Sequence, residues 1–360
     1  MRDPWNDAEL ARRFNESARD SEARAPLNAA LSRIIARRPA LSGLLAHAPD
    51  PQQLPVLLLA AIHFLVLDEP QHPLASWYPN ITEHPRAPDD RRLASTLESF
   101  VDERATTIIE LVASRHVQTN EIGRCAALMP AMRLVADEVG PLAHLDVGAS
   151  AGLNLLLPAF SFRYDDGPLI GPDPATVEIG CSTRGEAPLD LSRCVLPGLA
   201  SRCGIDQRPI DVTDPTEARW LEACCWPDQA DRFRRLRAAI SIARTSPPEL
   251  LAGDAVDAVA GAIERMAHRA HPVVTTTWTL NYLPPDRRRA FVDELDRISA
   301  TTDLSWVFAE SPALTPELPH GGDLRGEHLT ELTLVTWRGG QRTVRHLAVI
   351  HPHGYWIHWR

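Results

Sequence analysis

The chain has 360 residues, a net charge of −10, 44% hydrophobic and 23% charged residues. This is the profile of a soluble globular protein with room for one large or two ordinary domains, and the acidic balance excludes a general nucleic-acid binder. All 37 basic residues are Arg, which also excludes lysine Schiff-base and lysine-base chemistry.

Met1–Asp7 has no apolar core of a signal peptide. The longest apolar run, Leu54–Leu67, is interrupted by Pro55 and His63 and is too short to span a bilayer. A cytoplasmic protein with no membrane partner is expected. The six cysteines (125, 181, 194, 203, 224 and 225) form no C-x-x-C pair and no regular framework, so free thiols are expected.

Residues 1–130 read as helical. Apolar residues recur at helical spacing over Leu10–Phe14, Leu27–Ile35 and Leu41–Leu45, punctuated by prolines 26, 39, 49, 51 and 55. Val56–Leu67 is apolar all round, which predicts a central buried helix; His63 within it is a candidate base. A Pro- and His-rich loop from Asp68 to about Pro88 holds Trp77-Tyr78-Pro79. These aromatics either cover a ligand or pack the loop down. Arg91–Val112 is another amphipathic helix. Arg115–Cys125 then gathers Gln118, Thr119, Asn120, Glu121 and Arg124. Either Thr119 or Asn120 caps a helix from about Glu121 to Val139, or the cluster lines a pocket.

Ala143–Leu156 has the pattern of a strand, a glycine turn and a helix N-terminus. Gly148 and Gly152, lacking Cβ, would let backbone approach a ligand. The helix start after Gly152 would offer unpaired N–H groups. The spacing is D-x-G-x-x-x-G, with Ser150 where a dinucleotide fingerprint has its middle glycine, and Asn154 follows the turn. A carboxylate at Asp146 would repel a pyrophosphate and suits a ligand carrying a sulfonium or ammonium group and hydroxyls. The stretch resembles the first motif of the class I S-adenosylmethionine-dependent methyltransferases.

Gln118-Thr119-Asn120-Glu121, the Asp146–Asn154 motif and the late His351-Pro352-His353-Gly354 together resemble an uncharacterised bacterial family, domain of unknown function 2332, over nearly the full length. That likeness implies little about activity. The methyltransferase resemblance implies more. The helix entering the first strand would lie beside the cofactor, so Gln118, Asn120, Glu121 and Arg124 would line its pocket.

Phe160–Tyr164 alternates like a strand, and Asp165-Asp166-Gly167 ends it. These acids stand about twenty residues past Asp146, the usual spacing for a ribose-binding acid, although Asp-Gly is also a hairpin turn. Residues 168–205 read as a loop-rich insertion. A second candidate for the ribose strand is Arg208–Asp214, which would make Asp211 the acid; the choice among Asp165, Asp166 and Asp211 stays open. Ala218–Cys225 and Gln229–Arg244 read as helices, with Arg232, Arg234, Arg235 and Arg237 on a solvated face.

Glu249–Ala255 reads as a third strand ending in Gly-Asp-Ala. By the resemblance, Asp254 would meet the adenine amino group; otherwise it caps the helix Ala255–Ala267. His271–Thr279 is β-branched and apolar, the profile of a buried strand, followed by a helix over Asp286–Ile298. Trp278, Asn281 and Tyr282 stand at its carboxyl end, where the resemblance places the transferred methyl. Leu304–Glu310 is a fifth strand ending in a candidate base. Gly321-Gly322-Asp323 is a loop. Leu332–Trp337 and Thr343–Ile350 flank a hairpin turn. His351 and His353 would share one side of an extended chain, but two ligands are too few for a metal site.

The expected architecture is α/β: a Rossmann-like, doubly wound, mainly parallel sheet ending in an antiparallel hairpin over residues 131–360, with a loop-rich insertion at about 165–207. Residues 1–130 would form an all-helical cap over the carboxyl edge of the sheet. The expected activity is methyl transfer from S-adenosylmethionine to a small-molecule acceptor. Tyr282 and Glu310 are the catalytic candidates. The cofactor candidates are Gln118, Asn120, Glu121 and Arg124; Asp146, Gly148, Ser150, Gly152 and Asn154; Asp166 or Asp211; and Asp254 and Trp278. A non-catalytic nucleoside-binding module is the alternative. A nicotinamide-dependent oxidoreductase is disfavoured by the missing G-x-G-x-x-G, and a hydrolase by the missing G-x-S-x-G elbow.

Overall fold

The computed structural model describes residues 7–321 and 329–360. The chain divides into two compact units. One runs to Thr119 and includes Thr213–Arg237; the other comprises Asn120–Val212 and Ala238–Arg360.

The first unit opens with α1 (Asp7–Ser21), α2 (Pro26–Ala36), α3 (Pro39–Ser42), α4 (Pro55–Asp68) and α5 (Arg92–Ser114). The punctuating prolines act as helix starters: Pro26, Pro39 and Pro55 each occupy the first turn of a helix, where the absent N–H costs nothing. α4 is buried without a break from Leu57 to Val66, as its apolar run predicts. It anchors a core that takes in Phe14, Leu31, Phe100 and Val101. Trp77 and Tyr78 are both buried, so the aromatics of the 68–88 loop pack it down.

The second unit begins with α6 (Cys125–Val139), β1 (Leu142–Val147), β2 (Ser161–Tyr164), β3 (Glu178–Arg184) and β4 (Leu199–Asp206). The chain returns to the first unit for α7 (Pro215–Ala223), whose start is capped by Asp214 through the Thr216 and Glu217 N–H groups. α8 (Ala230–Thr245) spans the division. Then follow β5 (Glu249–Ala252), α9 (Ala255–Ala267), β6 (His271–Thr277), α10 (Pro285–Ile298), β7 (Leu304–Glu310), β8 (Thr330–Arg338), β9 (Gln341–Ile350) and β10 (Trp356–Trp359).

Among the described residues ten strands form one sheet, ordered β2-β3-β10-β9-β8-β7-β6-β1-β4-β5. Six of its neighbouring pairs are parallel, so the protein is a mixed α/β structure with a mostly parallel sheet and a helical N-terminal region. β8 and β9 make the expected antiparallel hairpin, turning at Gly339 and Gly340, both at positive φ. Gly322 and Asp323 lie outside the described residues.

One face of the central strands carries Ala143, Leu145, Val147, Val274, Leu304, Trp306 and Phe308 against α9 and α10. Trp306 packs on Phe308 and edge-on to Phe291 at centroid distances of 4.4 and 5.6 Å, a geometry favourable beyond simple burial. α6 packs on β6 and β7 and also on β3, and the Tyr164 hydroxyl donates to the Ala126 carbonyl at 2.6 Å. The sheet therefore curls round α6.

Two expectations are corrected. The stretch 168–205 is not simply an insertion: it contains β3 and β4, and β4 is the immediate parallel neighbour of β1. Residues 208–214 form no strand; they are the loop that follows β4.

Candidate functional site

Counted along the chain, the five central parallel strands β1, β4, β5, β6 and β7 are ordered 3-2-1-4-5 across the sheet. The winding reverses between β1 and β6. In open α/β sheets the crevice outside the carboxyl ends at such a reversal is where ligands bind.

The turn after β1 lies at this point, and five of its backbone donors are spent inside the protein. Gly148 N and Ala149 N donate to the Ile205 carbonyl at 2.8 and 3.0 Å, and Gly152 N donates to Ala149 at 2.7 Å. Ser150 N donates to Asp206 Oδ2 at 2.8 Å. A 3-10 turn, Leu153–Ala159, follows in place of an α-helix, and its Leu153 N donates to Asn120 Oδ1 at 2.9 Å. The expectation of open N–H groups is thus corrected at these positions. The glycines answer to protein packing. Gly148 (φ +77°) leaves room for Thr279, whose Oγ1 would lie 2.2 Å from an added Cβ. Gly152 (φ +69°) leaves room for Pro248 and Leu250. Ser150 also has positive φ (54°), and its buried Oγ has no partner.

Two buried carboxylates end strands here. Asp146, at 1% exposure, lies on the α6-facing side. Its Oδ1 accepts from Thr275 Oγ1 at 2.7 Å, and that hydroxyl stands 2.9 Å from His144 Nε2. While Asp146 is ionised, Thr275 gives it its proton and the bond to His144 is donated by Nε2–H. Burial lowers His144 to about 3 and raises Asp146 to about 7, with Thr275 and Asn154 pulling Asp146 back. Oδ2 of Asp146 has no partner in hydrogen-bond geometry. Asn154 Oδ1 lies 3.5 Å from the Cys125 thiol.

Glu310, wholly buried at the end of β7, accepts from Thr279 N and Leu280 N through Oε1 at 2.9 and 3.1 Å. Burial raises it to about 7 against these bonds, and its Oε2 has no partner in strict hydrogen-bond geometry. It holds the β6–α10 loop in place. Trp278, at positive φ (54°), donates its indole N–H to Thr330 Oγ1 at 2.8 Å. Tyr282 projects from that loop at 79% exposure.

Residues 120–124 belong to the same place. Asn120 holds the turn after β1, as above. Arg124 NH1 donates to the Thr277 carbonyl at the end of β6, and Nε to the Pro352 carbonyl, both at 2.8 Å. Its charge lowers both Asp146 and Glu310. Glu121 accepts from Gly123 N through Oε1 at 2.9 Å, and its Oε2 stands 3.4 Å from His353 Nδ1. The expected cap is corrected: neither Thr119 nor Asn120 caps the helix, which starts at Cys125; Glu121 caps the short turn before it, while Asn120 and Arg124 tie this segment to the β1 turn and to the end of β6. Gln118 falls in the helical unit.

Other candidates lie elsewhere. Asp165 and Asp166 follow β2. Three antiparallel pairings separate β7 from β10, so β10, β3 and β2 run opposite to β1. The two exposed aspartates therefore sit at the opposite end of the strands, and Asp165 instead accepts from Thr183 N at 2.9 Å. Asp211 is exposed on the loop after β4. Asp254 caps α9 through Val256 N at 2.9 Å and pairs with Arg287. His63, in the helical unit, has both ring nitrogens engaged. His351 and His353 lie in a turn, not an extended segment. No group of three or more metal-type ligands occurs among the described residues, and no described helix is long and apolar enough to cross a membrane.

The family model described as "Uncharacterized protein conserved in bacteria (DUF2332)" matches residues 11–359. The chain belongs to this family. No curated protein and no solved structure matches the chain. Glu121, from one of the motifs that carry the family likeness, stands 3.4 Å from His353, from another. A Cβ on Gly354 would fall 2.0 Å from the Gly123 carbonyl oxygen, so the two segments pack backbone to backbone.

Sequence reasoning missed Asp206. It ends β4, the second parallel strand, and accepts from Ser150 N and Arg208 N, both at 2.8 Å. The signal available was Gly204-Ile205-Asp206, a short buried run ending in an acid, hidden because Ser201-Arg202 before it does not read as strand.

Proposed function

We propose that this protein is an S-adenosylmethionine-dependent methyltransferase with a Rossmann-like, doubly wound sheet, acting on a small-molecule acceptor. The observation that carries the reading is the polarity of the turn at the β1/β6 reversal. The N–H groups of Gly148, Ala149, Ser150, Gly152 and Leu153 are consumed internally, so the turn is not a phosphate cradle of the kind a dinucleotide requires. Carboxylates surround it instead: Asp206, Asp146, Glu121 and Glu310. That set suits a ligand of hydroxyls and positive charge, and it favours a sulfonium nucleoside over a nicotinamide cofactor.

S-adenosylmethionine supplies a methyl carbon on a sulfonium, whose departure leaves a neutral thioether. The chain's residues would divide the remaining tasks. Asp206, partly exposed at the end of the second strand, accepts the ribose hydroxyls; a carboxylate that already takes two backbone N–H bonds still has acceptor capacity. Asp254 ends the third strand, and its Oδ2, now 3.2 Å from the Gln207 amide nitrogen, would face the purine amino group. Glu310 fixes the Thr279–Tyr282 segment, and exposed Tyr282 meets the acceptor. Reaction is then largely a matter of holding two reactants in line and taking a proton.

Isothermal calorimetry with S-adenosylhomocysteine and with NADH tests this directly. Micromolar binding of the first and none of the second is expected. Saturable NADH binding, or no S-adenosylhomocysteine binding at millimolar ligand, overturns the reading.

A further inference from the structure

The C-terminal turn His351–Tyr355 is not used by the cofactor reading, yet it is built into the same edge of the sheet. Glu121 is 5% exposed. One of its oxygens is fixed by Gly123 N, and the other stands at ion-pair distance from His353 Nδ1, 3.4 Å, outside hydrogen-bond geometry. The residues that flank Glu121 are tied to the two strand ends that define the reversal: Asn120 to Leu153, just past the β1 turn, and Arg124 to Thr277. Arg124 also grips Pro352, beside His353. The Gly123–Gly354 approach leaves no space for a side chain on either residue. The turn that carries His353 is therefore held beside the reversal by the Arg124–Pro352 bond and the Gly123–Gly354 approach, with the Glu121 carboxylate 3.4 Å from one ring nitrogen.

Aromatic surface surrounds it. His351 and Tyr355 meet at 4.8 Å with their planes tilted by 48°, and His353 lies 5.5 Å from His351 and 6.3 Å from Tyr355. His351 Nδ1 accepts from His353 N at 3.0 Å, which orients that ring. Tyr282, Leu314 and Tyr355 are 79%, 41% and 40% exposed. They lie on the loops after β6, β7 and β9, strands that all run in the direction of β1. Three exposed apolar side chains of this size thus share the edge that carries the site, and exposed apolar surface beside convergent polar groups suits a ligand.

We propose that Glu121 and His353 form the general-base dyad of this site, and that the acceptor is an aryl hydroxyl lying against the Tyr355–His351 rings. The proposal rests on the cofactor reading above. In the step, Nε2 of His353 takes the hydroxyl proton as the acceptor oxygen bonds to the methyl carbon. The carbon–sulfur bond breaks and its electron pair stays on sulfur, giving an aryl methyl ether, a thioether and an imidazolium. Glu121, at ion-pair distance, balances the imidazolium charge that forms. A purely architectural role for the pair, anchoring the C-terminal turn, is the competing account.

The test uses the full chain, tritiated S-adenosylmethionine and three probes: catechol, 1,2-dimethoxybenzene, which lacks the hydroxyls, and cyclohexane-1,2-diol, which lacks the aromatic ring. The wild type is expected to label catechol alone. His353→Asn is expected to lower kcat about 100-fold or more, the usual scale for a lost general base, with S-adenosylhomocysteine affinity within about twofold of wild type. Glu121→Gln keeps an acceptor for Gly123 N and so preserves the turn. It should lower kcat in the same direction, which keeps the proposal testable if His353→Asn fails to fold. Wild-type transfer by either folded variant, equal labelling of cyclohexane-1,2-diol, or no labelling of catechol by a chain that binds S-adenosylhomocysteine overturns the proposal and leaves the cofactor reading standing. Absence of S-adenosylhomocysteine binding overturns the cofactor reading itself.

Discussion

A buried histidine of the helical unit and two buried carboxylates of the sheet unit are held differently. In the helical unit His63 is fully enclosed in α4. Its Nδ1 lies 3.0 Å from the Ala223 carbonyl and its Nε2 2.9 Å from the Asn80 amide nitrogen. Both nitrogens are engaged, and burial lowers the ring to about 4, so it is a neutral, satisfied histidine. In the sheet unit Asp146 and Glu310 are equally buried, yet each has one oxygen outside strict hydrogen-bond geometry, with Asn154 close to the first and Asn281 close to the second. Satisfied buried polar groups specify a core, whereas half-satisfied ones at strand ends mark a site where something else is expected. This contrast removes His63 from the candidate bases and keeps the carboxyl edge of β1, β6 and β7 among the places where chemistry is expected.

The contrast has a pH signature. Asp146 moves from 3.8 unfolded to about 7 folded, so the folded state binds its proton more tightly. Its support for folding is full below about pH 4 and is lost as pH rises to about 7. Replacing it should therefore stabilise the protein in alkali: Asp146→Asn is expected to exceed the wild type by on the order of 4 kcal/mol at pH 8, since each tenfold difference in proton affinity is worth about 1.4 kcal/mol. The gain should disappear below pH 4 in denaturant melts. Parallel wild-type and variant curves across this range would break the comparison.

Glu310→Gln should behave likewise with a gain of roughly 3 kcal/mol, because Gln retains the acceptor for Thr279 N and Leu280 N. His63 has the opposite sign. Its folded pKa lies below the unfolded 6.5, so its support is present above pH 6.5 and lost as pH falls to about 4. His63→Leu should cost about 2–3 kcal/mol at pH 7, through two unpaired partners, and the deficit should shrink on acidification. His144 and His271 carry the same acid-side sign in the sheet unit, so the difference between variant and wild type is the quantity to follow. The smallest effect is expected at Asp166→Ala. This exposed residue at the opposite end of the strands should change stability by less than about 0.5 kcal/mol and leave S-adenosylhomocysteine binding unaltered.

Much of the fold was legible. The all-round apolar run of α4, the β-branched His271–Thr277, the apolar Leu304–Ala309 and the Gly339-Gly340 hairpin each announce themselves through local pattern. β4 did not. Its buried side is built from Cys203 and Ile205 with Gly204 between them, while Arg202 spends its guanidinium on the Leu155 carbonyl at 2.8 Å. Neither choice follows strand propensity, because β4 is specified by packing against β1 and not by its own residues. The direction of β2 was also illegible, and with it the exclusion of Asp165 and Asp166, since it depends on pairings with β3 and β10 far along the chain. The Asp146–Gly152 turn is legible from its glycines, but five of its N–H groups are bonded inside the protein, which no local pattern announces. Glu121 and His353 were each visible as motif residues; their meeting is a fact of tertiary structure.

The central claim is that the β1/β6 reversal holds a nucleoside through the carboxylate that ends β4. Calorimetric titration of wild type and Asp206→Asn with S-adenosylhomocysteine tests it most directly. The account predicts that the wild type binds and that the variant, still folded by circular dichroism, binds about 10- to 100-fold more weakly, the scale of losing a charged acceptor to hydroxyls. Equal affinities for the two proteins would contradict it.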